Sequence, residues 1–251
     1  MVETGGDSVK IKAIIPVTTK YLVEPTREEL KKFSSRGTEI DVVCLEYGTA
    51  SIECTYDAML NSTGIIKEAE EAQSEGFDGV LIDCFGDIAL NAVREKLDIP
   101  VVGPGRISLL YAADLAHRFS IVTVSASGLT ILERLVMEFG LSNKLASVRF
   151  VNIPVLELKK VEKLASALVA ESLEAIERDG AHAIILGCTG MLGVVGGLRD
   201  ALKRRGYEIP VIYPVAVSVK YLEMLIALGL RQSRKTYMPP PEKERNILGR
   251  L

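Results

Sequence analysis

The chain has 251 residues, 48% of them hydrophobic, which exceeds one average domain and supplies apolar side chains for one large core or two smaller ones. Its 30 basic and 33 acidic residues leave a net charge of -3, no electrostatic footprint for nucleic acid. No apolar run reaches the roughly 18 residues of a membrane span, and the first ten residues lack the apolar middle of a secretory signal. A cytoplasmic protein with no nucleic-acid and no membrane partner is expected. In that reducing setting the four cysteines, 44, 54, 84 and 188, are read as free thiols, and none has the CxxC spacing of zinc or redox sites. His117 and His182 have no sequence neighbours to complete a metal site, so no metal is expected.

Along the chain, short runs rich in Val and Ile alternate with longer segments of helical period, the pattern of an α/β protein with parallel sheets flanked by helices. Strands are predicted over 11–17, 40–45, 79–84 and 101–103, with helices over 27–33, 56–74, 88–97 and 107–116. The scheme then repeats. Strands follow over 120–125, 148–153, 183–188 and 211–213, with helices over 129–139, 158–178, 192–205 and 215–228. Residues 1–117 and 118–230 therefore form two related halves. The charged, proline-bearing tail 231–251 is expected either to wrap a neighbouring subunit or to be partly disordered. Each half is a βαβαβαβα unit, and right-handed crossovers favour the strand order 2-1-3-4. In that order a crevice opens between the carboxyl ends of strands 1 and 3.

The third strand of each half ends in cysteine. Gly76-Phe77-Asp78-Gly79-Val80-Leu81-Ile82-Asp83-Cys84-Phe85-Gly86 aligns with Gly180-Ala181-His182-Ala183-Ile184-Ile185-Leu186-Gly187-Cys188-Thr189-Gly190, glycine on glycine and cysteine on cysteine. Downstream, Ile99-Pro100-Val101-Val102 matches Ile209-Pro210-Val211-Ile212. Both thiols thus belong at switch points, flanked by the first-strand ends Pro16-Val17-Thr18-Thr19 and Thr123-Val124-Ser125. If strand passes to helix within about three residues of each sulfur, free amides aim at it, and the thiol pKa is expected to fall from roughly 8.5 toward neutrality. Such a thiol can act as a general base or, protonated, as a general acid. Two of them across a shared cleft suit a carbon that loses its proton to one side and regains one from the other. Other residues read more plainly. Cys44 packs in the core, Cys54 lines the cleft mouth, faces solvent or starts a helix, His182 is a polar strand edge and His117 an exposed helix end. The glycine-rich run 190–197 lacks the lysine and spacing of a phosphate loop and is read as close helix packing.

Several stretches together resemble the aspartate/glutamate racemase superfamily, and within it the hydantoin racemase branch. They are Tyr47-Gly48-Thr49-Ala50-Ser51-Ile52-Glu53, Asp83-Cys84-Phe85-Gly86-Asp87, Arg118-Phe119-Ser120-Ile121-Val122-Thr123, Leu186-Gly187-Cys188-Thr189-Gly190-Met191 and Ser233-Arg234-Lys235-Thr236-Tyr237-Met238-Pro239-Pro240-Pro241. The likeness implies two pseudo-symmetric flavodoxin-like halves with the active site in the cleft between them, no cofactor, and a homo-oligomer. It also implies a small-molecule substrate, a 5-substituted hydantoin or allantoin, racemised by Cys84 and Cys188. The enolate oxygen would be held by turn amides at Phe85, Gly86, Thr189 and Gly190, with help from Thr18 and Thr123. Pro16, Tyr47, Gly48, Ile52, Ser125 and Pro214 complete the expected substrate-binding set.

One departure stands out. The branch usually carries Asn-Pro-Asn-Ser/Thr after the first strand, whereas this chain has Ile15-Pro16-Val17-Thr18-Thr19, so the amides expected to orient a polar ring or carboxylate are missing. Arg106 occupies a place where an acidic residue is common, which would favour an anionic substrate or cap a surface helix. Maleate isomerase-type and amino-acid (Asp/Glu) racemase-type activity, and a small-ligand binding protein on this fold, are the alternatives. An arylmalonate decarboxylase, which keeps only the second cysteine, is disfavoured by Cys84.

Overall fold

The eight Val/Ile-rich runs form eight strands in the computed structural model, which describes residues 8–245. β1 (Val9–Ile15), β2 (Thr38–Cys44), β3 (Gly79–Ile82) and β4 (Val101–Val102) make one parallel sheet in the order β2-β1-β3-β4. β5 (Phe119–Thr123), β6 (Leu145–Phe150), β7 (Ala183–Leu186) and β8 (Val211–Ile212) make a second, β6-β5-β7-β8. The predicted order 2-1-3-4 thus occurs twice. The helices are α1 (Val23–Phe33), α2 (Thr55–Ser74), α3 (Leu90–Lys96), α4 (Pro104–Leu115), α5 (Leu129–Glu138), α6 (Val161–Glu177), α7 (Val195–Lys203) and α8 (Pro214–Ala227). β3 and β7 are central and buried on both faces, which explains their unbroken apolar runs. Pro104 and Pro214 open α4 and α8, where a missing N–H costs nothing and the fixed φ suits the first turn.

Each sheet carries helices on both faces, but not all of them follow their own strands. Ile11, Ala13 and Leu81 face α1 and α8, while Ile14, Val80 and Ile82 face α2 and α3. In the second sheet Ile121 and Ile185 face α4 and α5, and Val122, Ile184 and Leu186 face α6 and α7. The last helix of each half has therefore been exchanged: α4 packs on β7 and β8, α8 packs on β3 and β4, and the two pack against each other. The approach is close. A Cβ on Gly79 would lie 2.8 Å from Leu222 of α8, and one on Gly105 of α4 would lie 2.0 Å from the Phe85 carbonyl oxygen.

The tail follows α8 back to the first half. Gln232 donates to the Leu97 and Ile99 carbonyls at 2.9 and 2.8 Å and accepts from the Val101 N–H at 3.2 Å. Arg231 and Arg234 pair with Asp98, and the Tyr237 hydroxyl accepts from Arg94 and Arg106. Through residue 237 the tail thus lies on its own chain, and residues 246–251 lie outside the described part. Arg106 is occupied here, with its guanidinium also 4.6 Å from the Phe139 ring, so it stands apart from the thiols.

Candidate active site

Asp83 N–H bonds the Ile14 carbonyl and Gly187 N–H bonds the Val122 carbonyl, each at 2.8 Å, and the chain turns immediately afterwards. Those paired turns present Cys84 and Cys188, both half-buried, to a common space. Two cavities meet there, each of about 70 Å³. Both have Ile52, Cys84, Val155, Cys188 and Thr189 in their walls. The first extends between Thr123 and Ser125 of the second half and Phe85 and Gly86 of the first, and the other along the first half past Ile15, Pro16, Val17 and Leu22.

Burial dominates the electrostatics. It pushes the Cys84 thiol up to about 12, against the opposing N–H of Gly86, with further upward pressure from Cys188. It pushes Cys188 up to about 11, opposed by the N–H of Gly190, while Asp83 and Glu53 raise it further. The expected fall toward neutrality is therefore corrected. The reason is local: α3 starts only at Leu90 and α7 only at Val195, so no helix N-terminus reaches either sulfur. Asp87 and Ala89, at φ 50° and 58°, and Gly193, at φ 71°, bend the chain before those helices can begin. The Asp87 carboxylate accepts instead from the Gly105 and Arg106 N–H groups, at 2.9 and 2.7 Å, and so caps the exchanged helix α4. Because each thiolate would repel the other, the pair favours at most one negative charge.

Among the expected binding residues, Pro16, Ile52, Phe85, Gly86, Thr123, Ser125, Thr189 and Gly190 line one cavity or both. Thr18, Tyr47, Gly48 and Pro214 do not. Thr18 N–H is held by the Thr49 carbonyl, Tyr47 is 77% exposed, and Pro214 is buried at the start of α8. Gly48, at φ 141°, abuts Asn61 of α2, whose carboxamide accepts from Thr49 N–H and donates to the Pro16 carbonyl. The N–H groups of Phe85, Gly86, Thr189 and Gly190 have no main-chain acceptor among the described residues. Cys44 ends β2 and Cys54 immediately precedes α2, both away from the cavity walls. His117 and His182 are exposed. The run 190–197 is corrected in part: a Cβ on Gly190 would lie 3.1 Å from Leu158, but those on Gly193, Gly196 and Gly197 would meet nothing within 4 Å, so close packing does not account for the last three.

Residues that the sequence did not mark also belong to the site. Glu53 lines the first cavity and Val155 both; Glu53 closes the Tyr47–Glu53 stretch without being among the expected binding residues, and Val155 opens a short 3-10 turn with no local signature. Asp83 precedes Cys84, is 5% exposed, and its Oδ1 has no hydrogen-bond partner. Burial raises its carboxyl to about 7. The Thr189 hydroxyl donates across the cleft to the Asp83 carbonyl at 3.0 Å, tying the second turn to the first. Behind them the Tyr213 hydroxyl donates to buried Glu29 at 2.9 Å. Among the described residues no three His, Cys, Asp or Glu side chains form a metal-binding group, and no helix is long and apolar enough to cross a membrane.

The Asp/Glu/Hydantoin racemase family profile matches residues 11–222. Over 238 residues the chain is 37% identical to a hydantoin racemase from Pseudomonas sp. (strain NS671), covering 94% of each chain. Over 239 residues it is 34% identical to a hydantoin racemase from Paenarthrobacter aurescens, covering 94% of this chain and 99% of that one. Its structure matches that of an allantoin racemase from Klebsiella pneumoniae with a TM-score of 0.88 at 33% identity, over 95% of this chain and 96% of that chain.

Proposed function

Because the chain belongs to the Asp/Glu/hydantoin racemase family, we propose that this isomerase inverts the ring carbon of a 5-substituted hydantoin or of allantoin, passing protons through Cys84 and Cys188. The observation that carries this reading is the presence of both thiols in the walls of the same two cavities. A thiolate on one face takes the proton from the ring carbon, the electron pair moves into the neighbouring carbonyl, and an enolate forms. The thiol on the other face then returns a proton to carbon and becomes the thiolate. One S–H has formed and one has broken, so the enzyme ends with its charge moved from one sulfur to the other, ready for the reverse reaction.

A buried thiolate is a strong base and a second ionisation is opposed by the first, so the working form is the minor one that carries a single thiolate beside a thiol. The enolate oxygen needs donors aimed before the reaction begins, a contribution of about 3 kcal/mol for one well-placed N–H. Gly86 and Gly190 direct their N–H groups at the sulfurs, which leaves Phe85 and Thr189 N–H as the donors for oxygen.

Deuterium incorporation at the ring carbon in D2O tests the mechanism. Cys84→Ser and Cys188→Ser should each abolish racemisation, while each variant still exchanges the proton of one enantiomer through the surviving base. Racemisation that persists in both variants would refute the two-thiol mechanism.

A further inference from the structure

The two halves align residue by residue at the site. Ile14 pairs with Ile82 in the first sheet as Val122 pairs with Leu186 in the second, so Asp83 is the counterpart of Gly187, Ile15 of Thr123 and Val17 of Ser125. The thiols are shared by two unlike lobes. On the second-half side Thr123 and Ser125 offer hydroxyls, whereas on the first-half side Ile15, Pro16, Val17 and Leu22 offer none and Thr26 offers one, in a wall that is otherwise mostly aliphatic. The ionisable side chain in the wall of that apolar lobe, besides the thiols, is Asp83, with its unpartnered Oδ1. The second half cannot hold a matching carboxyl, because a Cβ on Gly187 would sit 2.7 Å from Ile121 and 2.9 Å from Thr123.

A buried carboxyl without a donor is costly, and the cost disappears when a ligand supplies one. Inversion between two bases leaves the ring and the 5-substituent in place while only the proton changes sides. The polar ring belongs with the hydroxyl-bearing lobe, which turns the 5-substituent toward the apolar one. We propose that Asp83 accepts a hydrogen bond from an N–H on the 5-substituent, so that the enzyme prefers a ureido substituent, as in allantoin, to a purely aliphatic one. This rests on the hydantoin or allantoin reading above. Because Asp83 directly precedes Cys84, the donor it reaches lies near the reacting carbon, as the first N–H of a ureido group does. An aliphatic substituent fills the same lobe but leaves Oδ1 unpaired.

The test compares kcat/KM for allantoin and for 5-isopropylhydantoin in the wild type, Asp83→Leu and Asp83→Asn. Asp83→Leu should lower the ratio of the two values roughly tenfold or more, chiefly through KM for allantoin, which matches the loss of a hydrogen bond to a buried carboxyl. Asp83→Asn, near in shape and retaining one acceptor, should fall between, and it stands in if the leucine variant does not fold. Because both substrates are measured on the same variant, a general loss of folded enzyme leaves the ratio unmoved. An unchanged ratio, or a wild type that prefers 5-isopropylhydantoin, overturns the role of Asp83 while leaving the two-thiol reading intact. A wild type that exchanges the ring proton of neither substrate refutes that reading, and this inference with it.

Discussion

Gly105→Ala is the substitution that most directly probes how the exchanged helix holds the site. Gly105 sits in the first turn of α4, and an added Cβ would lie 2.0 Å from the Phe85 carbonyl oxygen and 2.7 Å from Leu135 Cδ2. Ordinary contact begins at 3.4 Å, so the carbonyl must retreat by about 1.4 Å. It cannot swing freely. The next residues are tied by Asp87 N–H to the Cys84 carbonyl at 3.0 Å and by the Asp87 carboxylate to Gly105 and Arg106, so the turn carrying Cys84 moves as a unit. Overpacking of this kind costs about 1–3 kcal/mol, offset by about 1 kcal/mol from replacing glycine in a helix. A net loss of up to about 2 kcal/mol should lower Tm by up to about 8 °C in a chain of this size. Displacing a reacting group by about 1 Å should slow proton exchange by about a hundredfold. Urea unfolding and deuterium exchange at the ring carbon read the two effects separately. A variant with wild-type midpoint and wild-type exchange would refute the coupling of α4 to the Cys84 turn, and lost stability with an unchanged rate would refute its catalytic half.

Asn61→Ala should destabilise by about 2–4 kcal/mol, read from the urea midpoint, because it strips partners from the half-buried Thr49 N–H and the buried Pro16 carbonyl, bonds of 2.8 Å each. The thiols predict a pH effect on stability. Since burial holds both above their unfolded value near 9, their contribution is fully present below that pH and is lost as pH climbs toward 11 and 12. Cys188→Ala should therefore gain stability relative to wild type between pH 9 and pH 11, by about 1.4 kcal/mol for each unit of pH. Parallel stability curves across that range would refute the burial account.

Much of this molecule is visible in its sequence because the signals are local. All eight strands and eight helices coincide with runs read from apolar period, and the strand order follows from crossover handedness. The register of Cys84 on Cys188 is also a sequence property, a glycine-to-cysteine spacing repeated in both halves. The predicted strand ends run two residues too far at β1, β3, β5 and β7 and three at β6, since the chain stays extended or apolar after the ladder has stopped.

What local pattern cannot carry is which surfaces meet. Nothing in the segments of α4 and α8 marks them for the opposite sheet, because an apolar helix face fits either one. Only the assembled packing, with Gly79 against Leu222 and Gly105 against Leu135, makes the exchange specific. Thiol affinity for protons is of the same kind. A sequence shows the donors near a cysteine but not the solvent excluded around it, and desolvation, which depends on every neighbour at once, outweighs the single amides at Cys84 and Cys188. Residue spacing therefore determined the two thiols and the paired sheets, whereas burial, the unpartnered Asp83 and the unlike lobes on either side of the sulfurs were decided only when distant segments closed over them.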